Sequence, residues 1–264
     1  MQKESVIELA KRRGFFWQSY EIYGAVGGFF DYGPLGAALK RKVEELWRQF
    51  YLREGFYEIE TPTVAPEEVF AASGHVNHFS DAMVECKGCG AAFRADQIIE
   101  DALKELGSTP TNIEQINRLV RERNIKCTEC GGELSEAVPT SLMMRTSIGA
   151  KGRIGYIRPE TAQGAYINFK RLLRFYREKL PFGVIQIGKA YRNEISPRQG
   201  FVRLREFNMA ELELFVHPGE KKKHKRFGEV KNLSARFLPA EGEETNMTFG
   251  GAVAKKIIMH EYLA

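Results

Sequence analysis

The sequence lacks any uninterrupted apolar run long enough to cross a bilayer, and residues 1–13 lack the apolar core of a signal peptide. A large charge excess is also lacking, since 39 Lys and Arg against 34 Asp and Glu leave a net charge of +5. This mild excess is compatible with an RNA partner without indicating one. We therefore expect a soluble, cytoplasmic protein with no membrane partner. Its 43% hydrophobic content suffices for one large or two modest domains.

Cysteine is scarce, and the four cysteines form two C-x-x-C pairs, Cys86 with Cys89 and Cys127 with Cys130. In a reducing compartment such pairs indicate metal or redox chemistry rather than structural disulfides. Four thiolates suit a closed tetrahedral Zn2+ site. We favour structural zinc over unliganded or redox-active cysteines. No fifth cysteine or well-placed histidine suggests the open position of a catalytic metal.

The spacing between the two cysteine pairs is longer than in common zinc sites. It contains two helix-like runs, Asp96–Leu106 and Asn112–Arg123, with a break at Gly107-Ser108-Thr109-Pro110. A helical hairpin returns the chain to its starting point, so the four cysteines can still meet.

The segment Val184–Val216 predicts two strands, Val184–Glu194 and Phe201–Val216, joined by a turn at Ser196–Gly200. Side chains alternate between the two faces of a strand. One face of the second strand is apolar at both ends and is expected to face the core: Val202, Leu204, Glu206, Asn208, Ala210, Leu212, Leu214 and Val216. The other face carries cations, rings and carboxylates: Phe201, Arg203, Arg205, Phe207, Met209, Glu211, Glu213 and Phe215.

Such a mixed face indicates a ligand, because it makes a poor core and a poor solvated surface. The first strand repeats the pattern, with two small residues beside a charged pair on one face: Gly188, Ala190, Arg192 and Glu194. Guanidinium groups bind phosphate and carboxylate oxygens, a ring stacks on a planar base, and carboxylates bind an ammonium group. A nucleotide together with an amino acid has all three parts. The alternative interpretation is a charged, exposed hairpin.

Two charged runs joined by a loop resemble motif 2 of the class II aminoacyl-tRNA synthetases. They are Tyr191-Arg192-Asn193-Glu194 and Arg203-Leu204-Arg205-Glu206-Phe207. The fuller wording, RNEISPRQGFVRLREFNMAELE, resembles the homodimeric, archaeal and eukaryotic type of glycyl-tRNA synthetase in particular. A run of this length is much more specific than a short pattern.

An amphipathic helix is predicted from Leu35 and ends before Gly55, with Leu39, Val43, Leu46, Trp47 and Phe50 at helical spacing. The alternating run Phe56–Pro62 after it predicts a strand closed by proline. From the pattern alone, ordinary core packing explains both elements equally well. They resemble class II motif 1, through which that family dimerises, and this resemblance implies a homodimer.

Glu160 lies in the run RPETAQG at the start of a helix predicted to reach about Leu180. A carboxylate is favourable at a helix start by itself. The wording resembles the glycyl-tRNA synthetase segment whose glutamate holds the substrate amino group, and we favour that role. Arg94 resembles a family arginine linked to substrate binding, with a solvated helix start as the alternative.

Three further features have simple structural explanations that we prefer to functional ones. Val64–His78 is loop-like, and we expect its His75 and His78 to be surface or hydrogen-bonding residues rather than metal ligands. Gly183–Ala190 nearly fits a phosphate-binding loop, but its β-branched, apolar middle favours a strand. The basic run Lys221–Arg226 is a solvated turn in our preferred interpretation, and a tRNA phosphate contact in the other.

The resemblance implies an α+β fold, with an antiparallel sheet flanked by helices and a zinc-binding helical insertion. The expected domains are 1–81 with motif 1, 82–138 as the insertion, 139–216 with motif 2, and 217–264 as a basic linker and the incomplete start of a further insertion. We find no match to the family's third motif, because Gly250-Gly251-Ala252 is followed by lysines. We therefore expect the C-terminal part of the catalytic fold to be missing.

The resemblance also implies the reaction and its residues. Glycine and ATP, with Mg2+, form glycyl-adenylate, and glycine is then transferred to tRNA(Gly). The implied catalytic residue is Arg192. The implied glycine site is Arg94, Glu160, Phe207 and Glu211, and the implied ATP site is Arg192, Asn193, Glu194, Val202, Arg203, Leu204, Arg205, Glu206 and Phe207. The alternatives are a class II synthetase for another amino acid, or a silent zinc-containing RNA-binding or regulatory fragment. A separate C-terminal half is a further candidate partner.

Overall fold

A computed structural model describes residues 3–103, 112–197, 200–239 and 242–264. The chain divides into two compact units, residues 1–167 with 185–212, and residues 168–184 with 213–264. Helices and mostly short antiparallel strands alternate along the chain, which confirms the predicted α+β class. Among the described residues, no helix combines the length and apolar character needed to cross a membrane.

The first unit begins with helix α1 (Lys3–Arg12), followed by an antiparallel pair of short strands, β1 (Phe16–Gln18) and β2 (Phe30–Tyr32). Helix α2 (Pro34–Arg53) follows, with proline in its first turn. The predicted helix is confirmed. Its apolar stripe is largely exposed in this chain: Leu35, Leu39, Val43, Leu46 and Phe50. Core packing therefore does not account for this stripe.

Two predictions after α2 were wrong in extent or type. The strand predicted over Phe56–Pro62 is limited to β3 (Tyr57–Glu58). The loop predicted over Val64–His78 instead contains β4 (Val64–Pro66), helix α3 (Glu67–Ala72) and the short helix α4 (His75–His78). Two glutamates in the first turn of α3 favour a helix start, and Gly74, at φ 81°, makes the turn between the two helices.

The segment that carries the cysteines has its own hydrophobic core. Strand β5 (Ser80–Glu85) pairs with β6 (Ala92–Arg94) on one side and with β7 (Val138–Ser141) on the other. Helices α5 (Ala95–Leu103) and α6 (Ile113–Glu122) pack with this sheet around Val84, Phe93, Ile98, Ile99, Ile116, Val120, Ile125 and Leu134. Both predicted helices are confirmed where described. The end of the first helix, beyond Leu103, and the Gly107–Pro110 break lie outside the described residues.

Two further sheets complete the framework of the site. One has the order β4, β9 (Arg153–Ile157), β8 (Met144–Ile148), and the other the order β11 (Glu206–Phe215), β10 (Phe182–Tyr191), β3. The β-branched residues Val184 and Ile185 of β10 are fully buried. The segment that nearly fits a phosphate-binding loop is therefore a strand, as predicted. Helix α7 (Ala162–Phe175) ends five residues before the predicted Leu180.

The second predicted hairpin strand starts later than expected. Residues Gly200–Val202 form a 3₁₀ turn and β11 begins only at Glu206, so Val202 and Leu204 do not belong to a core-facing strand. Val202 is 80% exposed. The backbone N–H of Arg205 donates to the carbonyl of Gly28, 2.8 Å away, rather than to a strand neighbour. The contact with the N-terminal segment thus takes the place of the strand pairing that was predicted for the residues before Glu206.

In the second unit, an aromatic group consists of Phe169, Tyr176, Phe182 and Phe215, with ring centroids 4.7–5.9 Å apart. Beyond it lie α8 (Phe227–Val230), the antiparallel pair β12 (Ser234–Phe237) and β13 (Thr245–Thr248), and α9 (Phe249–Ala254). Helix α9 ends at Ala254, and a 3₁₀ turn covers Glu261–Leu263.

Candidate active site and cysteine cluster

One polar cavity of about 470 Å3 collects residues from the two hairpin strands and from the cysteine-bearing segment. Its walls include seven of the residues predicted to bind substrate: Arg94, Arg192, Glu194, Val202, Arg203, Leu204 and Phe207. Phe79, Asp81, Leu142 and Phe201 complete the lining. Cations, a carboxylate and aromatic rings thus meet in one concave space, which is the composition expected of a site for a charged, partly planar ligand.

The guanidinium group of Arg192 lies in this cavity against two aromatic rings. Its central carbon is 5.3 Å from the ring centroid of Phe79 and 5.5 Å from that of Phe207. Its Nε donates to the carbonyl of Pro159 at 3.3 Å. Within the described ranges Arg192 has no ion pair with a carboxylate, so its positive charge is available to an anionic ligand.

Arg94 is held differently. It forms ion pairs with Asp96 and with Asp81, the latter at 3.1 Å, and its side chain is only 18% exposed. The hydrogen bond that Arg94 donates to Asp96 raises the pKa of Arg94. Arg94 is therefore not a solvated residue at a helix start. It lies at the cavity wall, where two carboxylates compensate most of its charge.

Arg203 links the cavity to helix α5. Its Nη1 donates to Oε1 of Gln97 at 3.2 Å, and its Nε lies 3.7 Å from Oε2 of Glu194. Glu194 is 8% exposed, and its Oε2 accepts no hydrogen bond within the described residues. The contact with Gln97 could not be predicted, since it joins positions 106 residues apart in the sequence.

Three predicted ATP residues do not line the described cavity. Arg205 donates from Nη2 to the carbonyl of Glu194 at 2.8 Å and from Nη1 to that of Gly27 at 2.6 Å, and burial lowers its pKa. Glu206 pairs with Lys189 at 2.7 Å. The backbone N–H of Asn193 donates to the carbonyl of Leu142 at 2.8 Å. In this chain Arg205 connects backbone segments, and its side chain already has acceptors.

Glu160 and Glu211 lie on either side of Thr161. Oε2 of Glu211 accepts from the backbone N–H of Thr161 at 2.7 Å and from its hydroxyl. Oε1 of Glu160 accepts from Nε2 of Gln163 at 2.5 Å, and Nε2 of His75 lies 3.5 Å from it. The other oxygen of each carboxylate has no hydrogen bond in the described part of the chain. Neither residue lines the cavity, but Pro159, the partner of Arg192, directly precedes Glu160.

Arg158 was missed by the sequence analysis. It is 7% exposed and donates from Nε to the carbonyl of Lys189 at 2.7 Å and from Nη1 to that of Thr61 at 2.9 Å. Its Nη2 occupies the space beside Gly188, where an added Cβ would lie 2.1 Å away. Burial lowers the pKa of Arg158. The small residue at 188 that suggested room for a ligand instead admits this side chain.

The four cysteines come together as predicted. Their sulfur atoms all lie within 4.8 Å of one another, with Sγ of Cys86 3.4 Å from Sγ of Cys130 and Sγ of Cys89 3.7 Å from Sγ of Cys127. These distances exclude disulfides, which need about 2.05 Å. They approach the sulfur–sulfur separation of about 3.8 Å in a tetrahedron of Zn–S bonds of about 2.3 Å. The backbone N–H groups of Cys89 and Gly88 lower the pKa of Cys86 to about 6, which favours its thiolate.

Comparisons with known proteins identify relatives of the chain. Residues 150–256 match the tRNA synthetase class II core domain (G, H, P, S and T). The chain is 54% identical to the glycine–tRNA ligase of Methanothrix thermoacetophila, 53% to that of Thermococcus sibiricus and 52% to that of Methanocaldococcus jannaschii. Each match covers 99% of this chain.

The chain resembles glycine–tRNA ligases over nearly its whole length. The resemblance predicted from the sequence is therefore confirmed. The chain spans about half the length of the glycine–tRNA ligases it matches, 46–47% in these three. A solved structure described as the RNA binding domain of threonyl-tRNA synthetase from Cryptosporidium parvum Iowa II matches 90% of this chain and 46% of that chain. Its TM-score is 0.53 at 17% identity, so this likeness concerns the fold alone.

Proposed function

We propose that the chain forms the substrate-activating part of a glycine–tRNA ligase. In this reaction the glycine carboxylate attacks the α-phosphate of ATP, forming glycyl-adenylate and releasing pyrophosphate, and glycine is then transferred to tRNA(Gly). The observation that carries this proposal is the placement of Arg192. Its guanidinium group is free of carboxylate partners in the described residues, lies against two rings, and contacts the residue before Glu160.

Each group in the cavity has a role that follows from its charge and shape. Arg192 neutralises the negative charge that grows between carboxylate and α-phosphate during attack. Phe207 stacks on adenine, the buried oxygen of Glu194 accepts from the adenine amino group, and Arg203 binds phosphate oxygens. Mg2+ bound to ATP would neutralise part of the phosphate charge. No side-chain base is required, because the nucleophile is already a carboxylate, and positioning supplies much of the rate.

The acidic pair suits the ammonium group of the amino acid. Glu160 and Glu211 each present one oxygen without a hydrogen bond in the described residues, which suits an ammonium group between them. We propose that Arg94 lies at the same amino-acid site, with its charge moderated by Asp81 and Asp96. A pocket closed around the α-carbon excludes larger amino acids sterically, and glycine has no smaller competitor.

Glycine-dependent exchange of pyrophosphate into ATP tests the proposal. It is measured on the chain alone and together with the remaining segment of a glycine–tRNA ligase, since a separate C-terminal half is a further proposed partner. Exchange with glycine supports the proposal, and exchange with another amino acid instead indicates a different class II synthetase. No exchange under either condition favours a silent RNA-binding or regulatory fragment.

We infer that the cysteine cluster holds structural zinc, which cross-links the two C-x-x-C turns. The observation in support is the spacing of four sulfurs without a disulfide. We expect Cys86→Ser to reduce bound zinc from about one atom per chain to near zero and to lower the thermal midpoint, because the metal contributes to folding. Elemental analysis and thermal unfolding measure these effects. Glu129→Gln, an exposed change in the second turn, is the control, and unchanged zinc in Cys86→Ser contradicts the site.

We propose that a second copy of the chain covers the exposed stripe on α2. Regularly spaced apolar side chains of this kind are typical of interfaces. Leu46, 73% exposed, lies within the stripe. We expect Leu46→Lys to weaken dimerisation at least about tenfold, because the interface would bury an ammonium group. Sedimentation equilibrium measures this change, with Arg41→Glu, exposed and off the stripe, as the control. A dimer of unchanged affinity in Leu46→Lys excludes this surface.

tRNA(Gly) is the proposed macromolecular substrate, and the cytoplasm is the proposed location. Two C-x-x-C pairs that form no disulfide suit its reducing conditions. The exposed basic run Lys221–Arg226 stays a candidate for tRNA phosphate contact.

A further inference from the structure

Two side chains converge on one oxygen of Glu160. Nε2 of Gln163 lies 2.5 Å from Oε1, and Nε2 of His75 lies 3.5 Å from the same atom. Oε2 accepts no hydrogen bond from the described residues. The two neighbours therefore determine which carboxylate oxygen is left for a ligand.

The two ring nitrogens of His75 have different neighbours. Nδ1 lies 2.8 Å from the hydroxyl oxygen of Ser73, and that hydroxyl also donates to the carbonyl of Phe70 at 3.3 Å. Nε2 faces the carboxylate of Glu160, and a bare nitrogen lone pair would be repelled there, so Nε2 carries a hydrogen. Nε2 therefore places an N–H donor towards Glu160.

Packing holds this imidazole in place. Its ring centroid is 6.1 Å from that of Phe70, which is fully buried, and 5.3 Å from that of Phe79. Phe79 is also the ring that lies 5.3 Å from the guanidinium carbon of Arg192. The side chain beside Glu160 and the wall beneath Arg192 are thus parts of one packed group.

We infer that His75 is a positioning residue for recognition of the amino-acid ammonium group. With the amide of Gln163, its Nε2–H holds Oε1 of Glu160, so that Oε2 faces the ammonium. The inference rests on the proposed function, in which Glu160 binds that group.

Binding of two adenylate analogues to the whole chain tests the inference. One is glycyl-sulfamoyl adenosine, a non-hydrolysable analogue of glycyl-adenylate, and the other carries acetyl in place of glycyl and so lacks the ammonium. His75→Gln places an N–H donor near the position of Nε2, whereas His75→Asn places one near Nδ1. His78→Asn, the same change at an exposed position of the same short helix, is the control.

We expect His75→Asn to lower affinity for the glycyl analogue about tenfold, because it removes a polar contact with a charged group. The acetyl analogue should bind His75→Asn as it binds the unchanged chain. His75→Gln should restore glycyl affinity to within about threefold, and His78→Asn should change neither affinity.

Four results would overturn the inference. Equal losses of affinity for both analogues in His75→Asn would indicate a general packing role. Unchanged affinity for the glycyl analogue in His75→Asn, together with a loss in His75→Gln, would indicate the same. Unchanged discrimination in both His75 variants would show that Glu160 needs no such donor. If neither analogue binds the unchanged chain, alone or with the remaining segment of a glycine–tRNA ligase, the proposed function fails and the inference fails with it.

Discussion

Arg192→Ala is expected to lower kcat/KM for glycine-dependent ATP–pyrophosphate exchange by at least about a hundredfold. The guanidinium group lies between the proposed positions of the glycine carboxylate and the α-phosphate, and it has no compensating carboxylate among the described residues. Removing one donor aimed at developing negative charge typically costs about 2.7–4 kcal/mol of transition-state stabilisation. The loss should appear in kcat as well as in KM, because the charge is largest in the transition state.

Arg192→Lys distinguishes the effect of the positive charge on the exchange rate from the effect of the planar guanidinium group. Lysine keeps the positive charge but lacks the planar fork, so an intermediate rate is expected. Arg153→Ala is the matched control, since Arg153 forms an exposed ion pair with Glu68 outside the cavity. Exchange within tenfold of the unchanged enzyme in Arg192→Ala would refute the role assigned to Arg192.

Gly188→Ala is expected to lower the free energy of unfolding by about 1–3 kcal/mol, the range for leaving a buried polar group without its hydrogen-bond partner. The added Cβ would lie 2.1 Å from Nη2 of Arg158, so the guanidinium group must leave its position. The carbonyls of Thr61 and Lys189 would then lose their donors in a buried site. Urea denaturation measures the effect, and Gly228→Ala is the control, because its Cβ meets nothing within 4 Å.

A double-mutant cycle with Arg158→Met identifies the cause. Arg158→Met should cost a similar amount, because the same carbonyls lose their donors. In that background the clash partner of residue 188 is gone, so Gly188→Ala should add little. Costs that simply add would show that the glycine matters for a reason other than Arg158.

Local patterns predicted only some of the regular elements. Helix α2 follows from apolar residues at helical spacing, and β10 from a β-branched run that excluded a phosphate-binding loop. In both cases the determining residues lie close together in the sequence. The cysteine cluster was predictable although its two pairs are distant in the sequence, because four thiolates in two C-x-x-C pairs suit one metal site.

Features set by distant contacts were not predictable. Arg205 belongs to a motif that suggested a nucleotide contact, yet carbonyls of Gly27 and Glu194 accept from its side chain. The contact with Gly27 joins positions 178 residues apart. His75 lies in a segment expected to be a loop, where only its contact with Glu160 indicates a role. The alternation of side chains between the two faces of a strand gives no information about either of these contacts.

The position of helix α5 has a consequence for any attempt to shorten this protein. The cysteine-bearing segment looks like a self-contained module, with its own core and its own proposed metal. However, it supplies Arg94 to the wall of the cavity and Gln97 to the side chain of Arg203. Excising residues 82–138 would remove both and leave the cavity open on that side. A replacement for this segment would keep the cavity wall intact only if it re-created these two contacts.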